Sequence, residues 1–270
     1  MNASNQEALL AKLRSGDPDQ QHEALCTLMD LGDASVIPAI LSLVSSPDAW
    51  IRRLSAEALD ELGSTSDEQI EPALLPLLSD PDPMVRNAAA EALCRFGTPA
   101  TSEPLTRLLH ADPDWVVRAS AAEALGNIGD RSVLGDLEQA LEDEETTVQA
   151  YAAYALGLLA PPTYVPLLEQ AIIKSSDLPV KGELILAVYR LGAPDGLRQV
   201  LKLIEMADGD DACRVLNGVQ NLTEHHVPAS LGAHAPRLRP TLLSLAQRNP
   251  LCRGQVEQIL ENLAQVEQAG

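Results

Sequence analysis

PDWVVRASAAEALGNIGDRSVLGDLEQALED, residues 113–143, decides the fold. Pro113 and Asp114 suit a helix start, because Asp caps free N–H groups and Pro is tolerated in the first turn. Val117, Ala121, Leu125 and Ile128 then recur at helical spacing and make one apolar face. Gly129 ends that helix, since Gly tolerates the left-handed backbone of a C-terminal cap. A second helix carries Leu137, Ala140 and Leu141 on its buried side. The unit is therefore a helix pair.

The same unit recurs on both sides. PDAWIRRLSAEALDELG starts at residue 47 and PDPMVRNAAAEALCRFG at residue 81. All three copies share Pro-Asp, an apolar residue before Arg, Ala-Glu-Ala-Leu, and a closing Gly. The Arg slot holds Arg52, Arg86 and Arg118, followed in phase by Gln149 and Lys181, at intervals of 31 to 34 residues. The closing slot holds Gly63, Gly97, Gly129 and Gly192, with Ala160 filling the gap. The second-helix core slots hold Leu105, Leu108 and Leu109, then Leu168, Ala171 and Ile172, then Val200, Leu203 and Ile204. Self-similarity at such a period marks stacked helical repeats, whose apolar faces are hidden only by the next copy.

Weaker copies extend the array. One starts at residue 17 and ends at Gly32; another spans Asp210 to Leu222, with Ala212 in the Arg slot; a last one restores Arg253. The expected fold is all-α, about eight helix pairs in a single array over residues 1–270. Residues 17–205 are regular and 206–270 irregular, with a loop insertion at 223–236. The core is aliphatic: 46% of residues are hydrophobic but only 3% aromatic, with one Phe.

Net charge is −20, from 19 Lys and Arg against 39 Asp and Glu. A nucleic-acid binder needs basic residues to displace phosphate counterions, so DNA, RNA and anionic membranes are excluded as partners. The acid is not evenly spread. Residues 1–173 hold 9 basic and 28 acidic residues; residues 174–270 hold 10 and 11. Such polarisation points to a basic protein partner steered along the acidic part. The exposed edge of each second helix supplies a candidate row, Arg107, Gln139, Gln170 and Lys202, with Glu142 and Tyr154 beside it. Glu68, Glu71, Glu103 and Glu138 are candidates for the acidic contact surface.

Catalytic signatures are missing from the sequence. There is no glycine-rich phosphate loop and no Gly-x-Ser-x-Gly elbow. Cys26, Cys94, Cys213 and Cys252 form no CxxC pair and read as buried free thiols. His225, His226 and His234 fall in the expected loop without a ligand spacing. No metal or cofactor is expected. No segment has the apolar length of a membrane span, so a cytoplasmic location is expected.

The pattern Asp-Pro-Asp-x-x-Val-Arg-x-x-Ala-Ala-x-Ala-Leu-Gly-x-Ile-Gly resembles the short HEAT-like repeat of the phycobilisome-lyase type over residues 17–205. That resemblance implies a right-handed superhelical α-solenoid that holds a partner. Within such families the role ranges over assembly adaptors, immunity proteins that mask toxins, and bilin lyase subunits. The expected function is thus a non-catalytic protein-binding scaffold, with a bilin lyase-type subunit handling a tetrapyrrole as the alternative. Deoxyhypusine hydroxylase has a similar fold and holds two irons with repeated His-Glu pairs; here only His22-Glu23 reads that way.

Overall fold

The computed structural model describes residues 3–193, 195–225 and 227–269. Among them are sixteen α-helices and no strand. Internal contacts divide the chain into two compact units, Met1–Asp136 and Leu137–Gly270. Each is taken by itself. The first contains α1 (Ala3–Leu13), α2 (Pro18–Leu31), α3 (Ile37–Ile40), α4 (Ala49–Leu62), α5 (Ile70–Leu74), α6 (Pro83–Phe96), α7 (Ser102–Ala111) and α8 (Trp115–Ile128). Helix α9 (Leu134–Ala140) begins at its end. The second continues with α10 (Thr146–Leu159), α11 (Val165–Lys174), α12 (Leu178–Arg190), α13 (Gly196–Met206), α14 (Gly209–Glu224), α15 (Leu231–Arg248) and α16 (Arg253–Ala269). Even-numbered helices are the first members of the repeats and odd-numbered ones the second.

The helix starts follow their caps. Asp48, Asp82, Asp114 and Asp177 each accept a bond from a backbone N–H of the first turn with an extended backbone. The ends follow two different rules. Gly129 and Gly192 are left-handed, at φ of 85° and 77°. Gly97 instead is extended, at φ −67°. There glycine serves space: a Cβ would sit 2.8 Å from Ile128 of the next repeat.

The first unit has an aliphatic core from Leu25, Ile51, Leu59, Leu93, Leu105 and Leu125. Its repeats are also joined by charge. Arg52 donates from Nε and Nη2 to both carboxylate oxygens of Asp80, at 2.6 and 2.8 Å. Arg86 repeats the fork on Asp112, at 2.7 and 2.8 Å. Each Arg also donates to the carbonyl six residues before it, Ser46, Asp80 and Asp112 for Arg52, Arg86 and Arg118. The recurring Arg slot therefore falls on equivalent positions of successive layers. Asp80 and Asp112 are buried. Burial works against ionisation of Asp80, but the Arg52 fork, the Asp82 N–H and the charges of Arg52 and Arg86 outweigh it and hold its carboxyl below the usual range.

The second unit keeps the aliphatic plan without the arginine fork. Gln149 in the Arg slot retains only the carbonyl bond, to Asp143 O at 2.6 Å. Other contacts join the layers towards the C-terminus: Tyr189 Oη meets His234 Nδ1 at 2.9 Å, Asn249 donates to Gly209 O at 2.9 Å, and Arg239 pairs with Glu267 at 2.6 Å.

The expected loop at 223–236 is mostly helix. Helix α14 runs to Glu224 and α15 starts at Leu231, despite Pro236 and Pro240 inside it. Leu231, Ala235, Leu238, Leu242 and Leu245 form a buried stripe at helical spacing. Its burial outweighs the loss of two backbone donors, at about 1.5–3 kcal/mol per large side chain. The insertion lengthens two helices instead of forming a surface loop. His226 lies outside the described residues.

Candidate binding surfaces

The second helices present clefts between successive repeats. In the second unit, a cleft of about 400 Å³ lies between α9 and α11. Glu138, Glu142 and Gln170 line it together with Lys174, which approaches Glu142 at 3.5 Å. Gln139 and Lys202 are exposed but lie outside that lining. In the first unit, Arg107 lines a cleft of about 460 Å³ with Pro76, Pro104 and Pro113. Its guanidinium is paired with Glu103 one turn earlier, at 2.5 Å. Glu68 borders a third cleft, of about 540 Å³, beside Ile37 and Pro38.

Two candidates have other duties. Tyr154 is only 6% exposed and lies under the Arg190 guanidinium, 5.1 Å from its ring centroid. An interface anchor cannot sit there, because the slot that is acidic in earlier repeats is roofed by α12. Glu71 is likewise engaged inside the fold. It accepts from the Thr98 N–H at 3.0 Å, the Thr98 hydroxyl at 2.7 Å, and the Thr101 hydroxyl. Burial opposes its ionisation, yet those three donors prevail and hold its carboxyl below the usual range.

The first helices carry a surface that spacing alone did not reveal. Asp60, Glu91 and Glu123 lie on α4, α6 and α8, with Glu91 acting on both of the others. Burial pushes the Asp60 carboxyl up, Glu91 and Glu61 add to it, and Arg95 only partly offsets them. Burial and then Glu91 do the same for Glu123. At the N-terminal ends of the same helices, about two to three turns from this row, stand Trp50, Met84 and Trp115, exposed by 55%, 46% and 42%. Trp50 contacts the His22 ring at 5.8 Å and the Arg53 guanidinium at 5.2 Å. The signal in the sequence was Met84 occupying the slot of Trp50, two residues before the repeat arginine.

A further cleft, of about 360 Å³, opens among α10, α12 and α14, lined by Tyr151, Tyr154, Glu183, Arg214, Asn217 and Asn221. Glu183 keeps some surface, but its Oε2 is sealed and has no hydrogen-bond partner. Burial raises its carboxyl to about 7, against the pull of Arg190. Gly218 makes room for it, since a Cβ there would fall 2.2 Å from Oε1. Among the described residues no group of three His, Cys, Asp or Glu converges as a metal site.

Comparison with known proteins follows the same lines. The model of HEAT repeats matches residues 7–68, 56–126 and 134–217. The chain belongs to the HEAT-repeat family. Residues 117–143 match the PBS lyase HEAT-like repeat, the unit from which the fold was read. This HEAT-repeat chain is similar to a chain of the CpcE–CpcF complex of phycocyanin lyase from Nostoc sp. PCC7120. Identity is 25% and TM-score 0.61, over 88% of this chain and 94% of that one. It also resembles an engineered protein, at 22% identity and TM-score 0.50, over 96% and 78% of the two chains. That second likeness speaks to the fold alone. A search of curated proteins gave no match. The all-α solenoid class and the HEAT-like repeat type expected from sequence both hold. No helix among the described residues is long and apolar enough to cross a membrane.

Proposed function

We propose that this HEAT-repeat protein is a non-catalytic scaffold that holds a basic protein partner, as an assembly adaptor or as an inhibitor that masks its target. The observation that carries this reading is the row Asp60, Glu91 and Glu123, in which repulsion from Glu91 adds to the burial that pushes up the other two carboxyls, while Arg95 draws Asp60 down. A cationic partner relieves that repulsion and gains association rate from the surrounding acid. Trp50, Met84 and Trp115 give the same partner apolar anchors at the rim, and aromatic anchors commonly carry much of an interface's energy. Glu68 borders a cleft of the first unit, Glu103 stands on α7 beside Arg107, and Glu138 borders a cleft of the second unit, so each unit offers further acid on its second helices.

The test is affinity capture with the full chain at low and high salt, repeated with the triple variant Asp60→Asn, Glu91→Gln, Glu123→Gln. The expected result is a basic protein that is retained at low salt, released at high salt, and lost from the variant. The variant should be at least as stable as the parent, because it removes repulsion. A partner held equally by both proteins and indifferent to salt would overturn the reading.

A second reading is favoured by one observation, the likeness to a phycocyanin lyase chain over nearly the full length of both proteins. In that case the chain is a subunit that handles a tetrapyrrole. Co-expression with bilin synthesis and a phycobiliprotein acceptor would yield a coloured complex and chromophore transfer. A colourless protein with no transfer rules it out.

A further inference from the structure

Cys213 and Cys252 are 39 positions apart and belong to different repeats, but the fold brings their sulfurs to 3.0 Å. Cys213 lies near the start of α14 and is partly exposed; Cys252 ends the short 3₁₀ turn Pro250–Cys252 and is fully buried. Bonded sulfurs lie about 2.05 Å apart, so an adjustment of about one ångström would join them. Neither segment depends on the sulfurs for its position. Asn249 donates to Gly209 O at 2.9 Å, and Arg248 donates to the carbonyls of Ile204 and Ala207, at 2.5 and 3.2 Å. The buried side chains Leu216, Leu245 and Val256 belong to the same core. The two thiols are thus held face to face by the surrounding contacts.

We propose that Cys213 and Cys252 are a disulfide site, oxidised by a small-molecule disulfide such as oxidised glutathione, which clamps α14 to the base of α16. Cys213, the more accessible thiol, acts first. Its thiolate attacks one sulfur of the small disulfide, and the other sulfur leaves as a thiolate. Cys252 then gives up its proton and attacks the Cys213 sulfur, expelling the second small thiol. Two protein thiols are oxidised to one disulfide while one small disulfide is reduced to two thiols. The Cys252 thiol is pushed up to about 12 by burial and by its contact with the Cys213 thiol. Conversion of Cys213 to a mixed disulfide removes that second contribution at the step where Cys252 must ionise. The remaining cysteines are placed differently. Cys94 lies among Asp60, Glu91 and Glu123, where burial and those charges hold its thiol protonated. Cys26 contacts His22 in the first unit, at 3.6 Å.

The full chain, equilibrated with oxidised glutathione and then alkylated under denaturing conditions, tests this directly. The expected product loses two of its four alkylation sites, and peptide mapping recovers a single cross-link joining residues 213 and 252. Cys252→Ser should stop at one glutathionyl group on Cys213, and the Cys26→Ser, Cys94→Ser double variant should behave like the parent. Oxidation should raise the melting temperature of the second unit by on the order of 10 °C, since the bond closes a loop of about 40 residues. Full alkylation after oxidation, separate glutathione adducts on both cysteines, or a cross-link to Cys26 would overturn the site. A bond that forms without raising the melting temperature would overturn the clamp.

Discussion

The two units follow one repeat but join their layers differently. In the first, Arg52 and Arg86 each grip with two bonds the buried carboxylate that ends their own repeat, and with a third the carbonyl that ends the repeat before it. In the second, Gln149 bonds the carbonyl of Asp143, and the later junctions combine aliphatic packing with Tyr189–His234, Asn249 and Arg248 on backbone carbonyls, and a partly exposed Arg239–Glu267 pair. The interior charges of the second unit, Glu183 and Arg190, are left without hydrogen bonds at Glu183 Oε2 and at all three guanidinium nitrogens. The difference teaches that a repeat consensus stores more than a hydrophobic pattern. Where its ion pair persists, the buried carboxylate is satisfied by the arginine of its own repeat, right at the junction with the next. Where the pair is lost, charge settles elsewhere in the fold, in the wall of a cleft.

The sharpest way to break the comparison is to remove one arginine. Arg86→Ala strands Asp112, whose side chain is 3% exposed, without its charged partner. A loss of about 3 kcal/mol is expected in urea unfolding of the first unit, in line with one-sided removal of a buried pair. Acid should attack the same unit. The Asp80 carboxyl is held below its ordinary value when folded, so its stabilisation is fully present above the unfolded value of 3.8 and fades as pH falls through the lower, folded one. Unfolding curves of Asp80→Asn, which lacks that titration, should show a correspondingly weaker acid dependence below about pH 4.

The opposite sign is expected in the second unit. Glu183 is raised to about 7 from an ordinary 4.5, so the folded state binds a proton that the unfolded state has released. Its contribution to stability is present below pH 4.5 and is lost as pH rises to about 7. Glu183→Gln should therefore gain stability relative to the parent on going from pH 5 to pH 8. The gain is at most about 2–3 kcal/mol, because the variant also gives up the attraction of Arg190. A parent with no stability slope between pH 5 and 7 beyond that of the variant would contradict this account.

The smallest effect is at Gln149. Gln149→Ala removes a single neutral hydrogen bond, and thermal unfolding should register about 1 kcal/mol or less. A loss as large as that of Arg86→Ala would mean that the second unit has its own concealed equivalent of the fork.

Much of this was legible because the repeat reports the same slot several times. The recurrence of Arg52, Arg86 and Arg118 in phase is enough to define the layers, and the capping aspartates define the helix starts. The failures came where one copy was read through its neighbours. Tyr154 occupies a slot that is acidic in three earlier repeats, but Arg190, two turns after Glu183 on α12, covers it. The stretch 223–236 reads as a loop because it interrupts the repeat, whereas the burial that makes part of it helical, across Pro236, depends on tertiary packing. The approach of Cys213 to Cys252 has no counterpart in other repeats, so no periodicity could announce it. The cleft at Glu183 was hidden for a related reason: Gly218 matters only through what lies opposite it.

The arginine forks also bear on how such a chain changes length. Each repeat plugs its arginine into the carbonyl that ends the layer behind and closes on the carboxylate at its own end, since Asp80 receives Arg52 while its own carbonyl receives Arg86. Excising residues 81–112 would bring Pro113 directly after Asp80, leaving Arg52 its carboxylate and presenting Arg118 with the carbonyl of Asp80. A cut in this phase removes a whole layer and leaves the Arg52–Asp80 fork intact, although it takes with it Thr98 and Thr101, the donors to Glu71. The chemistry of the junction thus sets a quantum of about thirty residues for viable deletion or duplication.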